Sequence, residues 1–358
     1  MRIKKALFLG TLCTAVSGMS LFAQAGVSYA KSAEKTTEAA SSEEAESEEE
    51  TSEEVTYPIT IEHAFGETVI ESKPERIATI GWENQDIPLA LGVAPVGVSA
   101  ANYGMVTDNN LHPWTDEAFA DLGVEKPVVF DDVDGLDFEQ ISDCNPDVIL
   151  AAYSGMTQED YDTLSQIAPV IPYKEKAWQT SWREQTIENA EGMGMKPEGE
   201  KKVKEVEDLI AEKLEEYPQL EGIPTAFCWI SADDFSTFYV YLPTDPRAAY
   251  LLDLGFTLPE SVQKLAGETD DFNITVSREN ADQLDDIQLM VVYGDEDLLK
   301  SLQEDKLMSQ IPAIKNGAVA LVDSTSALAG ACTPSILSIP YEIDEYLQLL
   351  SDAAENIK

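Results

Sequence analysis

Apolar residues follow two rhythms along this chain, and their order predicts the architecture. Ile59-Thr-Ile-Glu-His-Ala-Phe-Gly66-Glu-Thr-Val-Ile70 alternates around Gly66, which predicts a hairpin. Short apolar runs follow at Pro74–Ile80, Pro95–Val98, Asp147–Ala152 and Val170–Pro172, with a short helix expected over Gln85–Leu91, stopped by Gly92. Such β-α-β alternation predicts parallel strands covered by helices. The rhythm changes between Gly199 and Tyr217, where Val203, Val206, Leu209, Ile210, Leu214 and Tyr217 recur among Lys and Glu. That spacing predicts one long helix with a buried face, bounded by Pro197 and Pro218. Strand-like runs resume at Thr225–Ile230, Phe238–Leu242, Met290–Tyr293 and Val319–Val322, and a closing helix is expected from Pro340 to Ala354.

One phrase occurs twice. Gly135–Leu150 and Ile274–Val292 each place a Glu, Glu139 and Glu279, at the start of a short helical stretch, then a turn, then an apolar strand. An acid near a helix start is favoured by the helix dipole alone. The repetition adds the expectation of two similar α/β lobes, each offering one Glu at an equivalent place.

Composition narrows the function. The 358 residues suffice for two domains, and 23 basic against 67 acidic residues leave a formal charge of −44. Nucleic acid and anionic membrane surfaces would be repelled. The N-terminus reads as an export signal: Arg2, Lys4 and Lys5 precede an apolar run, and cleavage after Ala30 is preferred over cleavage after Ala25. Lipidation at Cys13 is disfavoured by the bulky Leu12 before it. Residues 31–54 hold ten Glu and two Lys and are expected to form a disordered, self-repelling tether. Cys144, Cys228 and Cys332 show no CxxC or Cys/His pattern and read as buried apolar positions.

Gly81-Trp-Glu-Asn-Gln-Asp-Ile-Pro-Leu-Ala-Leu-Gly-Val-Ala-Pro-Val-Gly-Val98 resembles the first-lobe signature of the iron–siderophore substrate-binding proteins of ABC importers. Tyr153–Tyr161, Ser181–Gln185, Leu242–Arg247 and Leu328–Tyr346 resemble further segments of that family, in order, from about residue 57 to the C-terminus. The resemblance implies an α/β fold of two Rossmann-like lobes with central parallel-type sheets, joined by one long helix, with ligand between the lobes and little hinge closure. The expected divisions are a signal peptide (1–30), an acidic linker (31–56), a first lobe (57–197), the interlobe helix (198–218) and a second lobe (219–358). It also implies that Glu139 and Glu279 meet Arg residues of a membrane permease. The protein is then expected to act as a monomer outside the cytoplasm, capturing a ferric siderophore and handing it on. No cofactor is expected, iron arriving already chelated.

Ligand clefts are apolar and aromatic with few polar anchors, and they open at the carboxyl ends of parallel strands. This nominates Trp82, Tyr103 and Tyr153 from the first lobe, and Trp229, Tyr239 and Tyr241 from the second. Trp178 and Trp182, on the approach to the long helix, join them, and Arg183 and Arg247 are candidate anchors for ligand oxygens. Few arginines in so acidic a chain favour a low-charge ferric hydroxamate over a highly anionic catecholate. Direct metal coordination is not expected, because His63 and His112 are the only histidines. Heme and cobalamin receptors of the same fold are the alternative. No GxGxxG, P-loop, GxSxG or HExxH occurs; a secreted hydrolase with paired carboxylates is more remote, since no acid pair is marked by its spacing, and an adhesion protein would need an exposed apolar patch.

Overall fold

The computed structural model describes residues 55–132 and 135–358. The expected leader, Cys13 and all but the last two residues of the acidic linker lie outside the described residues. The expected hairpin forms from Ile59–His63 (β1) and Gly66–Ile70 (β2), antiparallel with Ile59 opposite Ile70.

Behind it stands a fully parallel five-stranded sheet. Its strands are Ile77–Thr79 (β3), Gly97–Ser99 (β4), Val129–Phe130 (β5), Val148–Ala151 (β6) and Val170–Pro172 (β7). Their order is β5-β4-β3-β6-β7. The crossovers carry Asp86–Ala90 (α1), Pro113–Asp121 (α2), Phe138–Asp143 (α3) and Gln158–Leu164 (α4). Every residue of β3, β4, β6 and β7 is buried. Strands covered on both faces have no polar side to present, which is why these runs lack alternation.

Trp182–Gly192 (α5) leads into Lys196–Leu214 (α6), the long helix expected from the apolar spacing. Its buried positions include Val203, Val206 and Ile210. α5 and α6 cross closely at Gly199, where an added Cβ would lie 2.5 Å from Ala190 Cβ.

The second sheet comprises Thr225–Trp229 (β8), Thr237–Tyr241 (β9), Asn273–Ser277 (β10), Leu289–Tyr293 (β11) and Val319–Val322 (β12). Its order, β10-β9-β8-β11-β12, repeats the positional order of the first. One half differs: β9 runs antiparallel to both β8 and β10. The cause is connection length, because residues 230–236 are too few for a parallel crossover, which needs about a dozen or more. The remaining helices are Pro246–Asp253 (α7), Glu260–Ala266 (α8), Glu296–Glu304 (α9), Pro312–Asn316 (α10), Ala327–Ala331 (α11) and Ser338–Ala354 (α12).

One apolar cluster runs through both sheets, from Ile77, Leu150 and Ile171 through α5 and α6 to Phe227, Val291 and Tyr346. Cys144, Cys228 and Cys332 are buried and unpaired. Among the described residues no helix is long and apolar enough to cross a membrane.

The α5–α6 crossing leaves no room for a side chain at Gly199. We expect Gly199→Leu to lower stability by roughly 1–3 kcal/mol in urea unfolding, the usual effect of overpacking. An unchanged midpoint would show that the crossing relaxes without strain.

Candidate ligand cleft

β3 and β6 lie side by side at the point where the chain order of the first sheet reverses, and their carboxyl ends open a crevice there. A buried amide ties the two ends together. Asn84 Nδ2 donates to the Ile80 carbonyl (2.8 Å) and the Tyr153 carbonyl (2.9 Å), and Asn84 Oδ1 accepts from the Tyr153 amide (3.1 Å) and from Asn189 Nδ2 of α5 (2.9 Å). Gln185 of α5 donates to the Trp82 carbonyl (2.8 Å). Gly81 turns with φ +83°, and a Cβ there would meet the Tyr153 carbonyl at 2.7 Å. Trp82 and Tyr153 therefore leave their strands from a fixed frame.

Trp178 stands edge-on to Tyr153, with ring centroids 5.2 Å apart. Its φ of 61° is a left-handed conformation that a bulky residue adopts only where its surroundings enforce it. Its indole lies over Gly155, where a Cβ would come within 2.5 Å of Trp178 Nε1.

Trp82 and Trp178 form the wall common to two cavities. One, about 280 Å³, belongs to the first sheet's loops and is lined by Asn102, Asp132, Leu136, Ser154, Met156 and Asp160 among others. The second, about 310 Å³, lies between the sheets and is lined by Trp82, Tyr103, Tyr153, Trp178, Arg247, Phe272, Tyr293, Ala329 and Thr333. Beside it, Gln179 Nε2 donates to the Asp270 carbonyl (2.9 Å), and Lys176 pairs with the Asp270 carboxylate.

Among the described residues Arg247 is the one cation lining either cavity. It binds the buried Asp245 bidentately, Nε to Oδ1 at 2.8 Å and Nη2 to Oδ2 at 2.7 Å, and lies 3.9 Å over the Tyr241 ring. Burial works against its charge, but the hydrogen bonds and charge of Asp245 hold its pKa well above the ordinary value. Burial pushes the Tyr103 phenol up to about 12 and raises those of Tyr153 and Tyr293 well above the ordinary phenol value. All three stay protonated, so the cleft offers neutral O–H donors. Asp132, raised by burial, accepts from Ser99 Oγ (2.5 Å).

The structure thus brings together Trp82, Tyr103, Tyr153, Trp178 and Arg247 of the expected set. Trp182 and Arg183 lie elsewhere. Both are on α5, whose capping box of Ser181 and Glu184 starts the helix just before them. Trp182 is buried and donates to Asp253 of α7 (3.0 Å), while Arg183 bridges Asp253 (2.7 Å) and Glu207 of α6 (2.6 Å). Tyr241 is buried under Arg247 and packs on Phe227, because antiparallel β9 sets its carboxyl end back from the crevice. Trp229 and Tyr239 form an exposed pair, rings 5.5 Å apart, lining neither cavity.

Phe272 and Tyr293 line the cavity in addition to the residues expected there. Tyr293 ends β11, the counterpart of β6, so the strand-end reasoning that picked out Tyr153 applies to it equally. Phe272 precedes β10, a strand without a distinct apolar signal. Glu139 and Glu279 are both exposed and both in the first turn of a short helical segment, α3 and the 3-10 segment Arg278–Gln283. Each segment precedes the strand in the same position of its sheet, β6 or β11. Among the described residues no group of three or more His, Cys, Asp or Glu could hold a metal ion.

Two lobes of matching strand order around an aromatic cleft define a substrate-binding protein of the two-lobed, helix-linked class. The chain belongs to the periplasmic binding protein family, whose model matches residues 77–325. It is similar in structure to PiaA of Streptococcus pneumoniae TIGR4, solved in complex with ferrichrome, with a TM-score of 0.81 and 48% identity over 84% of this chain and all of that one. Curated relatives from Bacillus subtilis are the petrobactin-binding protein YclQ, 24% identical over 81% of this chain and 88% of its own, and the probable siderophore-binding lipoprotein YfiY, 25% identical over 65% and 67%. This is a family of binding proteins rather than of enzymes.

Arg183 joins three helices and lines neither cavity. We expect Arg183→Ala to cost on the order of 1 kcal/mol in thermal or urea unfolding and to leave ligand affinity within about twofold of the parent. A large loss of affinity with little loss of stability would return Arg183 to the cleft.

Proposed function

We infer that this protein is an extracytoplasmic receptor that holds a ferric hydroxamate siderophore between its two sheets and delivers it to an ABC-importer permease. The observation that carries this reading is the cavity between the sheets. Among the described residues its walls are mostly aromatic rings and neutral phenols, and the single cation there is already balanced by Asp245. A ferric trishydroxamate is neutral at its metal centre and exposes oxygens to a few donors. A triscatecholate brings several negative charges into a body of formal charge −44, where one compensated Arg offers little to offset them. The similarity to the ferrichrome complex of PiaA supports the same chemistry. Iron enters as cargo already wrapped by its chelator, and the protein contributes stacking surface and hydrogen bonds to the wrapping.

In this reading Glu139 and Glu279 are the docking pair. Their exposure and their matched places before β6 and β11 suit two contacts on one permease face. Exposed charges of this kind steer encounter and orientation more than they add affinity.

Intrinsic tryptophan fluorescence tests the ligand class. Ferrichrome is expected to quench residues 55–358 saturably, with a Kd of micromolar or tighter (about −8 kcal/mol). Ferric catecholates, heme, cobalamin and iron-free chelators are expected to give flat traces. Tighter binding of a catecholate, heme or cobalamin would overturn the hydroxamate assignment. Arg247→Gln, which removes a charged donor at the cleft, should weaken ferrichrome binding by roughly tenfold or more.

The docking pair is tested separately. Glu139→Ala with Glu279→Ala should leave the Kd for ferrichrome unchanged and depress iron uptake by cells that depend on this receptor. Lost affinity in the purified double variant would place these residues at the ligand instead.

A further inference from the structure

Three buried polar atoms behind the cleft wall, Trp82 Nε1 and both carboxyl oxygens of Glu83, have no partner at full hydrogen-bond geometry, although the Trp82 indole and the Ser335 hydroxyl lie near enough to Glu83 to favour its charged form. Glu83 is 2% exposed and, with φ 56°, is held in the left-handed region beside Trp82, one of the two rings that both cavities share. A carboxyl placed so deep without a strong partner has no obvious role in the core, where an apolar side chain would cost less.

Its surroundings supply one. Burial, followed by repulsion from Asp86 of α1, raises Glu83 well above the ordinary carboxylate range, and the Ser335 hydroxyl and Trp82 indole offset this only in part. Asp86 takes hydrogen bonds from Trp114 Nε1 (2.9 Å), Thr115 Oγ1 (2.7 Å) and Ser335 Oγ (2.5 Å), so it is the member of the pair equipped to carry charge. At the start of α2, His112 Nδ1 lies 3.3 Å from the Met105 carbonyl, an acceptor, so Nδ1 carries the proton. Nε2 then presents a lone pair 3.9 Å from Glu83 Oε1. Burial pushes the His112 imidazole down to about 4, which leaves the shared proton on Glu83. The Tyr153 phenol also couples to Glu83, and burial keeps it protonated. The rings of Trp82 and His112 meet edge-on with centroids 5.2 Å apart, and His112 stacks on Trp114 at 4.6 Å.

We propose that Glu83 is a positioning residue of the cleft: its neutral carboxyl links the Trp82 indole N–H to the His112 imidazole and so fixes Trp82, one of the two rings shared by both cavities. At 3.9 Å the Glu83–His112 pair is too far apart to be hydrogen-bonded as it stands, so the carboxyl O–H reaches His112 Nε2 by a side-chain shift of about an ångström, and the other oxygen accepts from Trp82 Nε1. This arrangement gives partners to all three orphaned atoms at once. Its bearing on ligand affinity rests on the hydroxamate reading given above.

The test uses residues 55–358 labelled with 5-fluorotryptophan, with the Trp82 fluorine resonance identified by its loss in Trp82→Phe. In ligand-free protein at neutral pH, Glu83→Gln should keep the Trp82 resonance in place, since an amide can donate to His112 and accept from Trp82. Glu83→Leu should shift or split it and should weaken ferrichrome binding on the order of tenfold, the effect of about one lost hydrogen bond. As pH rises through the raised pKa of Glu83, its neutral form and the stability tied to it are lost. The Trp82 resonance should therefore move in wild type but stay fixed in Glu83→Gln. The proposal is overturned if Glu83→Leu keeps the wild-type resonance, or if Glu83→Gln behaves like Glu83→Leu. Should Glu83→Leu not fold, the pH series on wild type and Glu83→Gln decides alone. Because the resonance is read without ligand, a failure of ferrichrome to bind would count against the hydroxamate reading and leave the positioning test intact.

Discussion

The cleft depends on one buried carboxamide. Asn84 is fully buried and bonds both strand ends and α5 with one donor and one acceptor group. An apolar residue in its place would orphan the Tyr153 amide and weaken the hold on the Ile80 carbonyl, and unpaired buried backbone groups are costly. A carboxylate would offer no donor to either carbonyl. Once Asn84 joins β3 to β6, the Trp82 amide can donate to the Tyr153 carbonyl (3.1 Å), and the two cleft aromatics leave from adjoining backbones. The first lobe's side of the cleft is thus set by the protein's own polar core before any ligand arrives.

Much of this was legible in the residues, and the unread part has physical causes. Long amphipathic spacing marks α6 plainly, and buried runs such as Val148–Ala151 and Leu289–Tyr293 mark the central strands. Strands of two or three residues, like β5 at Val129–Phe130, are too short to carry a period. Antiparallel β9 was not foreseen, although the brevity of residues 230–236 holds the signal. That reversal is also why strand-end reasoning succeeds at Tyr153 yet misplaces Tyr241. Trp182 and Arg183 look like loop residues until the Ser181 and Glu184 capping pair is read as a helix start, which turns them towards α6 and α7. The role proposed for Glu83 had no sequence signal, because it depends on a histidine, His112, brought in from a distant segment.

Charge is arranged by exclusion. The chain is strongly acidic, yet among the described residues no carboxylate lines the cavity between the sheets, and the one guanidinium there is balanced by Asp245 just behind it. A fully uncompensated Arg would be costly to bury, and a buried ion pair gains little net stability of its own. The pair is better understood as a way to present an aligned N–H fork to ligand oxygens while keeping the site close to neutral.

The two sheets share a continuous apolar core through α5, α6 and α12, which opposes wide rotation of one lobe against the other. Trp82 and Trp178 are set in place by left-handed backbone at Glu83 and at Trp178 itself, and Gly155 leaves the room that the Trp178 indole occupies. Strained conformations of this kind persist only where surrounding contacts over-determine them, and their cost is met during folding. A receptor so built spends little binding energy on ordering its walls, so more of the contact energy with a rigid ferric chelate is available as affinity. Discrimination then rests on whether a ligand matches a preformed aromatic slot of low charge, rather than on how far the lobes can close around it.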